Sequence, residues 1–75
     1  MNVIYTQNGC PKCRVLKKKL DEKYIQYSEC DDINILIAKS IEFTPMLEVN
    51  GKIMDYSGIL TWLEQNNYYS LWEEN

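Results

Sequence analysis

The sequence predicts a small α/β protein. Four strands form one mixed sheet, helices lie on both faces, and the elements follow the order β-α-β-α-β-β-α. Three observations predict it. A β-rich apolar stretch at 2–6 precedes a run with helical spacing at 11–23 and a second strand at 24–29, a succession that is by default a right-handed β-α-β unit with parallel strands. Asn50-Gly51 stands between two short apolar segments, the strongest short-range signal for an antiparallel hairpin. A last run, at about 58–66, places apolar residues at helical spacing, and the connections are short throughout, as in layered α/β architectures.

Residues 2–6 lack polar alternation, as expected of a strand buried on both faces. The helix at 11–23 opens with Pro11, whose missing N–H is tolerated at the first helical position. Its apolar positions are Val15, Leu16 and Leu20, with Cys13 one turn before Leu16. Tyr24 to Glu29 read as the second strand. Asp31-Asp32 offers a cap for a helix over Ile33 to about Ile41, with Ile33, Leu36, Ile37 and Ile41 on its apolar face. Met46–Val49 and Lys52–Met54 are the hairpin strands. Asp55 to Gly58 reads as a turn, with Asp55 or Ser57 capping a helix that packs Ile59, Leu60, Trp62 and Leu63 inward. Leu71 and Trp72 in the aromatic tail are expected to fold back on the domain.

Composition bounds the function. Seventy-five residues, 45% hydrophobic and 12% aromatic, make one foldable domain with a modest core, and neither repeats nor linkers divide residues 1–75. No apolar run approaches the roughly 20 residues that span a bilayer, and no membrane partner is expected. The N-terminus lacks the pattern of a signal peptide, so a cytoplasmic location is expected. In that compartment a disulfide is transient and catalytic more often than structural. Three cysteines also argue against a disulfide framework. There is no histidine, which excludes cysteine–histidine catalysis and imidazole acid–base chemistry.

The chemistry gathers at Asn8-Gly9-Cys10-Pro11-Lys12-Cys13, where the first strand gives way to the first helix. Gly9 permits a sharp turn. Cys10 falls just ahead of the first helical turn, where free N–H groups and the positive end of the helix favour a thiolate, below the usual thiol pKa of about 8.5. Cys13 points toward the core, giving an exposed attacking thiol and a sheltered resolving one. A C-x-x-C at a strand–helix junction reads as a thioredoxin-like redox motif. Charge supports it. The net charge is −3, yet six bases lie between Lys12 and Lys23 against two acids, leaving −7 for the rest of the chain. Most of these lysines read as a solvated face. The positive segment also begins at the dithiol, where it would favour the thiolate and steer an acidic protein partner. An acidic chain without interleaved aromatics is not expected to bind nucleic acid.

Three features together resemble the glutaredoxin family of the thioredoxin fold over nearly the whole chain. They are Cys10-Pro11-Lys12-Cys13 after the first strand, Thr44-Pro45 before the third, and Tyr56-Ser57-Gly58 leading into the last helix. The resemblance implies a monomeric thiol–disulfide oxidoreductase with Cys10 as nucleophile and Cys13 as resolving thiol. Pro11 and Lys12 would tune the pair. Thr44 and Pro45, joined by a cis bond, would form a substrate-binding loop beside the dithiol, and Tyr56 would line the groove. No cofactor is implied beyond the Cys10–Cys13 redox couple.

Glutathione-using members commonly carry a Gly-Gly pair followed by acids after the hairpin. Here the stretch reads Met54-Asp55-Tyr56-Ser57-Gly58-Ile59, which is closer to the glutaredoxin-like redoxins of the NrdH type. Those donate electrons to ribonucleotide reductase and are recharged by thioredoxin reductase. A glutathione-dependent glutaredoxin is the alternative, and a metal-binding or partner-binding module using the C-x-x-C as a clamp is a further one. Cys30 reads as a half-buried thiol; three cysteines without histidine do not complete the four ligands of structural zinc within one chain.

Overall fold

A computed structural model describes residues 2–65. Seven elements follow the expected order: β1 (Asn2–Tyr5), α1 (Pro11–Glu22), β2 (Ser28–Cys30), α2 (Ile33–Ala38), β3 (Met46–Val49), β4 (Lys52–Met54) and α3 (Tyr56–Gln65). The sheet order is β2-β1-β3-β4. β1 and β2 are parallel, with Ile4 opposite Glu29, whereas β3 is antiparallel to β1, with Ile4 opposite Leu47. β3 and β4 close the hairpin. Asn50 and Gly51 both take positive φ, 52° and 84°, which is the geometry of the tight hairpin turn that the Asn-Gly pair predicts.

Strand alternation divides the core. Ile4 and Leu47 face one side and form a buried cluster with Leu16 and Leu20 of α1 and Ile59 and Leu63 of α3. Tyr5, the next residue along β1, faces the other side, where Lys39 at the end of α2 stands over its ring at 6.0 Å. Helices therefore cover both faces of the central strands, and the whole is a thioredoxin-like fold.

Three expectations are corrected. β2 is shorter and later than residues 24–29, because Tyr24 and Ile25 are used to end α1. The Tyr24 N–H donates to the Asp21 carbonyl at 3.1 Å and the Ile25 N–H to the Leu20 carbonyl at 3.0 Å, with Tyr24 at φ 59°. This is a Schellman motif, and it delays the strand to Ser28. Val15 is 45% exposed rather than inward. Cys13, Leu16 and Leu20 form the buried stripe, and Val15 lies about 100° round the helix from Leu16. In α2, less than two turns long, Leu36 alone is buried, and Ile33 and Ile37 are exposed.

α2 ends in a second Schellman motif. Ser40 and Ile41 donate to Ile37 and Leu36, with Ser40 at φ 59°. α3 starts two residues earlier than expected. Asp55 Oδ1 accepts the Gly58 N–H at 2.8 Å, which makes Asp55 the cap and turns Tyr56–Gly58 into helix. The end of the last helix at Asn66 and the placement of Leu71 and Trp72 lie outside the described residues.

Candidate redox site

The site is built where β1 stops. Thr6, just past the strand, donates its N–H to the Cys30 carbonyl at 2.9 Å, the last rung of the β1–β2 ladder. Gly9, at φ 72°, reverses the chain toward α1. Cys10 is the N-cap of that helix in an extended conformation, and Pro11 occupies the first helical position. The Cys10 sulfur thus takes the place of a capping oxygen. It accepts the backbone N–H of Cys13 at 3.1 Å, satisfying one of the donors that a helix start leaves without a partner. Cys10 and Cys13 are joined by a disulfide with their Cα atoms 5.3 Å apart. Cys10 is half-buried and Cys13 is 2% exposed, so approach to the pair is from the Cys10 side.

A second chain segment reaches the same sulfur. The Thr44–Pro45 bond is cis, Pro45 is buried, and Met46 starts β3 opposite Tyr5. Thr44 is thereby carried to the dithiol, and its hydroxyl donates to Cys10 Sγ at 3.6 Å. Lys12 Nζ lies 5.4 Å from the centre of the Tyr56 ring. That contact ties the motif's variable residue to the start of α3. So the structure brings Cys10, Cys13 and Thr44 into direct contact and adds Tyr56 through Lys12. Pro11 sits exposed on the rim.

A cleft of about 390 Å³ opens beside the pair. Its walls carry both signs of charge: Arg14 and Lys17 from α1, and Glu29 and Asp31 from the end of β2. Lys17 and Glu29 neutralise each other in an ion pair of 2.9 Å. Among the described residues no three His, Cys, Asp or Glu side chains gather as a metal-binding group. Cys30 is a free, half-buried thiol.

Two features near the site were not foreseen. Phe43 precedes Thr44 and is 73% exposed. Its signal in the sequence is that the chain's only phenylalanine adjoins the Thr-Pro pair. Tyr5, behind the site, donates its hydroxyl to Glu48 Oε1 at 2.6 Å, and Lys39 Nζ lies 3.4 Å from the same oxygen. Burial pushes the Tyr5 pKa up to about 12, helped by the hydrogen bond to Glu48 and by its charge. The same hydrogen bond, together with Lys39, holds the Glu48 carboxyl below the usual range against the opposing effect of its own desolvation. Residue 48 carried no periodic or motif signal that could pair it with position 5.

Among the described residues no helix is long and apolar enough to cross a membrane. No family model, no curated protein and no solved structure matches the chain.

Proposed function

We propose that the protein is a dithiol–disulfide oxidoreductase that reduces disulfides in other proteins through Cys10 and Cys13. One observation carries this reading. A C-x-x-C disulfide caps α1, and its more accessible sulfur receives donors from two separate segments, Cys13 and Thr44. Donors placed there favour a negatively charged sulfur, the form that attacks. In the reduced protein the Cys10 thiolate attacks one sulfur of a substrate disulfide and expels the other as a thiolate. The Cys13 thiol, deprotonated as it reacts, then attacks Cys10 Sγ and releases the second substrate thiol. Two electrons pass to the substrate, and the Cys10–Cys13 disulfide remains. An external reductant must return them.

The finer reading is glutaredoxin-like, closest to the redoxins that are recharged by thioredoxin reductase and supply ribonucleotide reductase. The Gly-Gly pair that accompanies glutathione use is absent from Met54 to Ile59. Asp55, the acid nearest that turn, has one carboxylate oxygen engaged as the cap of α3. A glutathione-dependent activity is the second reading, favoured by the cleft beside the dithiol, where Arg14 and Asp31 offer opposite charges to a small zwitterion.

The test is reduction of hydroxyethyl disulfide with NADPH, supplied with thioredoxin reductase in one mixture and with glutathione and its reductase in another. Turnover in the first only supports the finer reading; turnover with glutathione supports the second. Absence of turnover in both, together with stoichiometric zinc in the purified protein, refutes an oxidoreductase. Cys10→Ser should abolish turnover, whereas Cys13→Ser should accumulate a mixed disulfide with a protein substrate, visible as an added mass that dithiothreitol removes. Equal trapping by both variants would reverse or void the assigned roles.

A further inference from the structure

Phe43 is a large apolar side chain left 73% exposed one residue before the cis loop. A lone exposed apolar residue on a surface means little. Its position gives this one meaning. Thr44, its neighbour in the chain, donates to Cys10 Sγ, and the loop is fixed behind it by buried Pro45 and the pairing of Met46 with Tyr5. Phe43 is therefore one residue from the side chain that contacts the reacting sulfur, on a segment anchored at Pro45 and Met46. Aromatic anchors of this kind, ordered before binding, carry much of the energy of protein recognition. On the rim formed by the first turn of α1, Lys12 and Arg14 are exposed and no acid is present. Beside Phe43 the charge is negative, because Glu42 is exposed there.

We propose that Phe43 determines substrate choice: the protein's substrate is a polypeptide disulfide with a bulky apolar residue beside its cysteine and acidic residues on the flank that meets α1. This deepens the oxidoreductase reading and rests on it. The apolar residue packs on Phe43. The acids meet Lys12 and Arg14, which raises the rate of encounter in a salt-dependent way. Electron flow is unchanged: the reduced protein gives two electrons to the peptide disulfide and ends as Cys10–Cys13 disulfide, while the peptide leaves as two thiols.

The test uses the full chain, reduced with dithiothreitol and desalted, in single-turnover reactions. Its substrates are disulfide-linked dimers of four hexapeptides that combine leucine or glycine beside the cysteine with an acidic or a basic flank. Hydroxyethyl disulfide is the reference. The acidic leucine peptide should react fastest, about tenfold faster than its glycine counterpart, the scale expected for burying part of a large apolar side chain. Salt should slow both acidic peptides more than both basic ones. In Phe43→Ala the leucine-over-glycine ratio should fall toward one, and Phe43→Leu should restore most of it. Equal rates for leucine and glycine peptides with the unaltered protein would overturn the proposal, while reduction of hydroxyethyl disulfide left standing would keep the oxidoreductase reading. A leucine preference that survives in Phe43→Ala would also overturn it. Failure to reduce any of the disulfides would overturn both.

Discussion

Cys10 owes its position to its backbone. Its extended φ and ψ make it the N-cap of α1, and the Cys13 N–H then points at the sulfur. Ser, Thr, Asp or Asn fill this role in most helices with an oxygen acceptor. With sulfur in that place, the cap is also the reactive group. The second donor, the Thr44 hydroxyl, comes from 34 residues away. It tests how much of the sulfur's reactivity depends on the loop. Thr44→Val keeps the shape and removes the hydroxyl. The reduced variant should react with iodoacetamide at neutral pH a few-fold more slowly at Cys10, as expected for losing one weak hydrogen bond to a charged acceptor. Mass mapping of the alkylated site after timed quenching measures this. An unchanged rate would mean that the Cys13 N–H and the start of α1 suffice. The cysteine pair itself was legible, since Cys-Pro-Lys-Cys between a strand and a helix places both sulfurs at the helix start. The Thr44 hydrogen bond and the exposure of Phe43 were not, because no local pattern encodes contacts across the fold.

At the scale of elements, ends were harder to read than middles, and the helix C-termini show why. The Asn50-Gly51 hairpin was readable because its residues suit positive φ. α1 and α2 also end through residues at positive φ, but these are Tyr24 and Ser40, with φ 59° at each. Neither announces a left-handed turn as glycine would. Without that signal, Tyr24 reads as part of a strand, whereas the strand begins four residues later at Ser28. The same fact yields a prediction. Ser40 is exposed and adopts a conformation costly for a residue with a Cβ. Ser40→Gly relieves that cost, offset in part by the greater freedom of glycine in the unfolded chain. The net gain should be about 0.5–1 kcal/mol, read from the midpoint of urea unfolding at unchanged slope. Ser40→Ala, which keeps the Cβ and loses only the hydroxyl, should give no such gain. If it stabilises as much as glycine, backbone strain is not the cause.

At the scale of the molecule, sheet order followed from two local rules: parallel pairing across a β-α-β unit, and antiparallel pairing across a two-residue turn. What neither rule could supply is how the face of the sheet away from α1 and α3 is held. Leu36 is the one residue of α2 that is buried, and a polar group lies on that face. Tyr5 of β1 donates to Glu48 of β3, and Lys39 from the end of α2 completes the group with its amine near both the carboxylate and the Tyr5 ring. Three elements meet there, and the proton on Tyr5 holds the arrangement. Its pKa is pushed up to about 12 from the usual 10. The folded chain therefore keeps that proton at a pH where the unfolded chain has begun to lose it. A raised pKa of this kind contributes stability that is fully present below about pH 10 and is lost as pH climbs toward 12. The loss should be on the order of 2 kcal/mol, about one and a third for each unit of separation. Tyr5→Phe isolates it, because it removes the hydroxyl and leaves the buried ring. Near neutral pH the variant should be less stable, since Glu48 has lost a donor. As pH rises from about 9 to about 12, the gap between the two proteins should close, because ionised Tyr5 becomes a second negative charge beside Glu48 and phenylalanine does not. Urea midpoints for both proteins across this range decide the matter. A gap that stays constant would mean that Tyr5 contributes by its buried ring alone.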